Sequence, residues 1–181
     1  VALATSDPDA IDVALAVGRQ AGALCLAAHN APDETVLSGD EAAIRAVLAF
    51  APTKATRVPT AGAWHSPAME GALSAWRRAL HETASQPLAC DLVANRTGDL
   101  VSDGDDILSL LAEQLVRPVE WATALRVVRA RADVVVTIGP GAVLRALWHR
   151  CFRQAATPEK GSPHGGPGGH DRPGSGGHGD V

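Results

Sequence analysis

Residues 62–69 contain the side chain in this sequence that is best suited to acid–base chemistry, His65. An imidazole titrates near neutral pH, so it can accept a proton and later return it. Ser66 and Pro67 come next, and this pair is typical of a helix start, with Ser66 as the cap. His65 is therefore predicted to lie on a loop just before a helix, where catalytic groups are often held. On these residues alone, a surface or capping histidine is the alternative.

The elements that precede this histidine follow from hydrophobic patterning in residues 1–59. Apolar runs predict strands at 1–5, 23–28, 34–37 and 54–58, with a turn at 30–33. Amphipathic segments predict helices at 8–20 and 40–50. The order βαββαβ is the ferredoxin-like pattern, so residues 1–59 are expected to form one α/β subdomain.

The pattern changes after residue 60. Helices are predicted at 67–84, from Asp103 or Asp105 to about 116, at 120–131 and at 142–152. Strands are predicted at 88–93 and at 134–138, and the second is all apolar, as is typical of a buried parallel strand. Residues 153–181 are rich in Gly, Pro, Ser and His, which predicts a disordered tail or linker. Weak metal binding by the tail histidines is the alternative.

Composition excludes several classes of function. The chain has 181 residues and a net charge of −4, which argues against a nucleic-acid partner because phosphates require a basic face. It contains neither an apolar run that could span a membrane nor a signal peptide, so a cytoplasmic location is expected. Its three cysteines are widely spaced and are predicted to be buried thiols, not a disulfide framework or a zinc site.

Four segments form an ordered set of motifs. They are Asn30-Ala31-Pro32 with Val36-Leu37-Ser38-Gly39, residues 62–69, Gln114-Leu115 with Arg117-Pro118-Val119 and Trp121, and Ile138-Gly139-Pro140-Gly141 with Val143-Leu144. Together they resemble the C-terminal half of the malonyl-CoA:acyl-carrier-protein acyltransferases, in fatty-acid synthesis and in polyketide synthases. The resemblance covers residues 1–152. It implies a ferredoxin-like subdomain at 1–59 and, at 60–152, the C-terminal part of a hydrolase-like α/β domain.

The same resemblance implies roles for individual residues. His65 would be the general base for a serine nucleophile, oriented by the backbone carbonyl at Gln114, and a neutral carbonyl can fix the imidazole tautomer. Trp64, Ala63 and Asn30 would contact the substrate. The alternatives are that Trp64 packs in the core, that Gln114 is a polar residue late in a helix, and that Asn30 belongs to a plain turn.

The family's nucleophile motif, Gly-His-Ser-x-Gly, does not occur in this chain. We therefore expect part of a larger enzyme that moves a malonyl group from malonyl-CoA to the phosphopantetheine thiol of an acyl carrier protein. Its expected partners are malonyl-CoA, the carrier protein and the missing N-terminal half, and no metal or bound cofactor is expected. One alternative is a non-catalytic remnant that docks a carrier protein or a partner chain. A weaker one is a ferredoxin-like regulatory module with an appended helical domain.

Overall fold

The computed structural model describes residues 1–50, 54–83, 86–102 and 106–152. The strands are β1 (Ala2–Leu3), β2 (Leu24–Ala31), β3 (Glu34–Gly39) and β4 (Ala55–Thr56). The helices are α1 (Pro8–Arg19), α2 (Glu41–Phe50), α3 (Glu70–Glu82), α4 (Ile107–Gln114), α5 (Trp121–Arg131) and α6 (Val143–Phe152), with a 3₁₀ turn at Pro67–Met69. The tail predicted at 153–181 lies outside the described residues.

The four strands form one antiparallel sheet in the order β2-β3-β1-β4. Leu3 pairs with Thr35 on one side and with Ala55 on the other, so β1 is central although it is only two residues long. Helices α1 and α2 pack against each other and against the sheet. This strand order is that of a ferredoxin-like fold, which confirms the predicted α/β class. The boundary predicted at 59/60 stays a prediction.

The main hydrophobic core lies under this sheet. Leu3, Leu37 and Val47 have almost no exposed surface, and every buried member of the core cluster comes from residues 1–47. Gly18 on α1 permits the close packing, because a Cβ there would stand 2.3 Å from Leu24 Cδ2 and 3.0 Å from Val47 Cγ2. The first third of the chain therefore contains most of the apolar packing in the described residues.

A short parallel bridge joins the rest of the chain to the free edge of β2. The Val119 N–H donates to Ala27 O, and the His29 N–H donates to Val119 O, both at 2.9 Å. Val119 is buried, and the N–H of the next residue, Glu120, donates to Asn95 O at 2.7 Å. This seam fixes the start of α5 and the loop at residue 95 against the sheet.

Helix α4 differs from its prediction at both ends. Asp106 is the cap, because its carboxylate accepts from the Ser109 N–H at 3.1 Å, whereas Asp103 and Asp105 lie outside the described residues. The helix ends at Gln114, two residues earlier than predicted. Its C-terminal carbonyls are therefore available to residues outside the helix.

Two predicted strands are wrong. Residues 88–93 form no strand, and only Val93 makes an isolated bridge, with Leu100. Residues 134–138 are also not a strand, and Val134, Val136 and Ile138 are 78%, 74% and 89% exposed. The apolar run has the composition of a buried strand, but no described strand lies beside it, and a strand needs hydrogen-bonded neighbours to exist.

The cysteines are free, but they are not all buried as predicted. Cys90 is exposed, and Cys25 and Cys151 are half-buried. Sequence could not show the exposure of Cys90, because that residue lies in the segment wrongly predicted as a strand. None of the helices in the described ranges has both the length and the apolar character that a membrane crossing requires.

Candidate active site

The backbone of His65 adopts an unusual conformation between two fixed points. Its φ is 61°, in the left-handed region that non-glycine residues seldom occupy. Its N–H donates to Leu115 O at 3.0 Å, just past the end of α4. Such strain persists only where surrounding contacts enforce it, and it is concentrated at functional sites.

The imidazole ring of His65 is held by the same helix end. Its Nδ1 lies 2.6 Å from the backbone oxygen of Gln114. A carbonyl oxygen can only accept a hydrogen bond, so Nδ1 carries the proton and, in the neutral ring, Nε2 is left as an acceptor. Within the described residues, nothing hydrogen-bonds to Nε2. The arrangement is that of a histidine whose outer nitrogen is ready to take a proton.

Ser66 shapes the turn that presents this histidine, but it does not cap the helix as predicted. It occupies the N-cap position of the 3₁₀ turn, yet its side chain makes no capping hydrogen bond. Its Oγ instead donates to Ala63 O at 2.6 Å, and the residue is only 2% exposed. A buried hydroxyl satisfies the nearest free carbonyl, here the one three residues back in the same loop.

Two cavities meet at His65. One, which we call the helical groove, has a volume of about 690 Å³ and is lined mainly by α3 and α4 residues such as Trp76 and Leu111, together with Met69 of the 3₁₀ turn. The other, which we call the sheet cleft, has a volume of about 540 Å³ and lies between the sheet and the later segments of the chain. His65, Trp64 and Gln114 line both cavities. The proposed base is therefore reached from two sides.

The three residues predicted to contact the substrate differ in whether they line the two cavities. Trp64 is 44% exposed, so its alternative as a core residue is wrong. Asn30 lines the sheet cleft from within β2, not from a turn, because that strand runs to Ala31. Ala63 is not among the described residues that line either cavity, and its carbonyl accepts the Ser66 hydrogen bond.

The structure adds residues to the cleft that sequence reasoning did not single out. Glu34 lines the sheet cleft and accepts from Asn30 Nδ2 at 3.0 Å, and Arg150 on α6 forms an ion pair with Glu34. Trp121, which belongs to the third sequence motif but had no predicted role, also lines the cleft. No sequence signal links Glu34 and Arg150, which are 116 residues apart. In the part of the chain that the structure describes, no three His, Cys, Asp or Glu side chains gather closely enough to hold a metal ion.

Comparisons with known proteins return one group of enzymes. No family model matches the chain. It is 30% identical over 146 residues to the spectinabilin polyketide synthase system protein NorB of Streptomyces orinoci, covering 76% of this chain and 7% of that protein. It is 33% identical over 106 residues to the malonyl CoA-acyl carrier protein transacylase of Mycolicibacterium smegmatis, covering 57% of this chain and 36% of that enzyme. The chain thus spans about a third of that enzyme and far less of the synthase.

The structural comparison agrees. The acyltransferase domain from the second module of the salinomycin polyketide synthase is 32% identical, with a TM-score of 0.70 over 85% of this chain and 36% of that one. The homologues and structural neighbours are thus malonyl transacylases and polyketide synthase acyltransferase domains, which is the resemblance that the sequence motifs indicated.

Proposed function

Because this chain is homologous to malonyl-CoA:acyl-carrier-protein acyltransferases, we propose that it forms the histidine-bearing part of such an enzyme. The reaction would move a malonyl group from the thiol of coenzyme A to the phosphopantetheine thiol of an acyl carrier protein. The observation that carries the proposal is His65, with Nδ1 bound to Gln114 O and Nε2 left as an acceptor beside two cavities.

In the proposed mechanism, His65 Nε2 takes the proton of a serine hydroxyl as the serine oxygen attacks the thioester carbonyl. The carbon–sulfur bond breaks, and coenzyme A leaves as a thiol with the proton from the imidazolium. The carrier-protein thiol then gives its proton to Nε2 while its sulfur attacks the malonyl-serine ester. The serine oxygen leaves and takes that proton back, so atoms and charge balance over the cycle.

The serine has to come from a polypeptide segment that is not in this chain, since the chain contains no Gly-His-Ser-x-Gly motif. The exposed apolar segment 134–138 supports a partner segment of this kind. The surfaces of soluble proteins seldom group exposed apolar side chains such as those of Val134, Val136 and Ile138. Val143, which follows shortly after at the start of α6, is also 71% exposed. A sheet supplied by the missing half would cover this apolar surface.

The first test is the native polypeptide that contains this chain, purified from its source. We expect an intact mass well above 18.6 kDa, a Gly-His-Ser-x-Gly motif upstream of Val1, and a malonyl-enzyme formed from radiolabelled malonyl-CoA. His65→Asn should slow malonyl transfer at least about a hundredfold, and asparagine tolerates the left-handed backbone at this position.

A native polypeptide that begins at Val1 and transfers no malonyl group would overturn the proposal. If it nevertheless bound a carrier protein, the non-catalytic docking alternative would replace the enzymatic one. His65→Asn protein that kept the full transfer rate would also contradict the role of His65, because no other described residue supplies an equivalent base beside both cavities.

A further inference from the structure

The sheet cleft contains a negative charge in a place where the proposed substrate is also negative. Among the described residues that line this cleft, the ionisable side chains are Glu34 and His65. The side chain of Glu34 is only 20% exposed, so water screens its charge poorly. A malonyl group carries a free carboxylate, and an uncompensated carboxylate in the cleft would repel it.

Arg150 compensates that charge from outside the cleft. Its Nη1 donates to Glu34 Oε2, its Nε donates to Asp33 Oδ1 at 2.9 Å, and its Nη2 donates to Asp33 O at 3.0 Å. The Arg150 side chain is 26% exposed, and three donors fix its guanidinium. The two contacts with Asp33 hold the plane of the guanidinium, so Nη1 meets Glu34 Oε2 from a fixed direction, which a lysine would not provide.

The other carboxylate oxygen of Glu34 binds the side chain of Asn30. Glu34 Oε1 accepts from Asn30 Nδ2 at 3.0 Å, so one carboxylate bridges α6 and the cleft-lining amide. The backbone of Asn30 is held from the same helix, because Cys151 Sγ lies 3.7 Å from Asn30 O. With Nδ2 committed to Glu34, the Asn30 amide cannot flip without losing a partly buried, charge-assisted hydrogen bond.

We propose that Arg150 is a positioning residue that cancels the charge of Glu34 and fixes Asn30, so that the cleft admits an acyl group bearing a carboxylate. This inference rests on the proposed function, which supplies the anionic substrate. Helix α6, which is far from His65 in sequence, would thereby favour a charged over a neutral acyl group through Arg150.

The experiment compares binding of malonyl-CoA and acetyl-CoA to the native polypeptide that contains this chain, and to its variants, by isothermal titration calorimetry. Arg150→Gln should weaken malonyl-CoA binding about tenfold and change acetyl-CoA binding much less, because only malonyl carries the second charge. The double variant Glu34→Gln with Arg150→Gln should recover most of that loss. Glu34→Gln alone keeps the acceptor for Asn30 and should tighten malonyl-CoA binding relative to acetyl-CoA.

Asp33→Asn is the matched control, because Asp33 also binds Arg150 but is 62% exposed and does not line the cleft. It should leave the ratio of the two affinities unchanged. Equal weakening of both thioesters by Arg150→Gln, without recovery in the double variant, would overturn the charge-cancelling role and leave only a structural one.

A second readout separates this inference from the proposed function. The side-chain amide signals of Asn30 in nitrogen-15 NMR spectra should shift in Arg150→Gln and stay in place in Asp33→Asn. If the wild-type native polypeptide binds neither thioester, the proposed function fails, while the amide signals still report on the positioning of Asn30. Amide signals that ignore Arg150→Gln would overturn the positioning role itself.

Discussion

The position of His65 in the chain was predictable from neighbouring residues, whereas its backbone conformation depends on the fold. Its place before a helix was predicted from Ser66 and Pro67, and the structure has the 3₁₀ turn starting at Pro67. The contact with Gln114 O was expected from the family resemblance alone, and the positive φ was not expected, because both depend on a helix end 49 residues away. Ser66 was predicted as a cap because sequence cannot show that its hydroxyl finds the Ala63 carbonyl first.

The contact on His65 comes from the backbone of Gln114, so the glutamine side chain should be dispensable. We expect Gln114→Ala to keep the Nδ1-protonated tautomer and to change the malonyl-transfer rate less than about threefold, since alanine maintains the helix. The tautomer is measured by the nitrogen-15 shifts of the His65 ring. Leu115→Pro is the contrasting variant, because a proline disfavours helical backbone at the preceding residue and should move the Gln114 carbonyl. A mixed tautomer in Gln114→Ala would contradict this account.

Trp64 is the residue at which we expect acyl selectivity to change. Its large indole lines the sheet cleft, and we propose that it leaves no room for an α-methyl group. Trp64→Ser in the full-length enzyme should therefore raise methylmalonyl transfer relative to malonyl transfer, about tenfold if one methyl group is accommodated. Trp76→Ser is the control, because Trp76 lines only the helical groove. A flat ratio in Trp64→Ser, or an equal change in both variants, would refute the proposal.

The three thiols should react at different rates. Burial raises the pKa of the Cys25 and Cys151 thiols, so less of each is thiolate at a given pH, whereas Cys90 is exposed. We expect iodoacetamide at pH 8 to label Cys90 first, and labelling of the other two to rise only at higher pH. Peptide mass spectrometry over a time course measures this order. Equal labelling of all three in folded protein would contradict it.

At the scale of elements, the sequence succeeded where local periodicity and burial agree. Helix α1 was predicted at 8–20 and runs Pro8–Arg19, because its apolar face meets the core and Asp7 caps it. At residues 134–138, where a strand was predicted and none forms, hydrophobic patterning and burial disagree. An apolar run specifies a preference for burial, but a strand also requires a neighbour that the described residues do not supply.

Two helical glycines should respond oppositely to the same substitution. Gly18→Ala should destabilise the fold by about 1–3 kcal/mol, because the new methyl group would overlap Leu24 and Val47. Gly71→Ala on α3 has nothing within 4 Å of the new methyl group and should gain up to about 1 kcal/mol of helix propensity. Urea unfolding monitored by circular dichroism measures both. A stabilised Gly18→Ala variant would mean that α1 does not pack as closely as described.

At the scale of the whole molecule, burial is uneven. The core cluster belongs to the ferredoxin-like sheet, while the later helices contribute scattered buried residues such as Leu80, Leu125 and Leu147. The sequence predicted the first part well because its strands and helices have clear hydrophobic patterns and pack against one another within residues 1–56. It predicted the later part less well because the strands predicted at 88–93 and 134–138 have no partner strand among the described residues.

The exposed run at 134–138 should make the isolated chain associate with itself. Val136→Asp should weaken this association at least about tenfold while changing the free energy of unfolding by less than about 0.5 kcal/mol, since Val136 is 74% exposed. Sedimentation equilibrium measures the association. Val13→Asp on α1 is the control, because Val13 is an exposed apolar residue on a different element and should not change association. A wild-type chain that stays monomeric at high concentration would contradict the prediction.

The two hydrogen bonds between His65 and the end of α4 limit how this site can change in evolution. Gln114 and Leu115 hold the histidine with carbonyl oxygens, which nearly every amino acid supplies alike. Point substitutions there, other than to proline, should therefore have little effect on His65, whereas inserting or deleting one residue in the eight-residue helix would rotate its last carbonyl by about 100°. The orientation of the imidazole therefore depends on the number of residues in α4 more than on their side chains. A change in the length of this helix would disrupt the orientation.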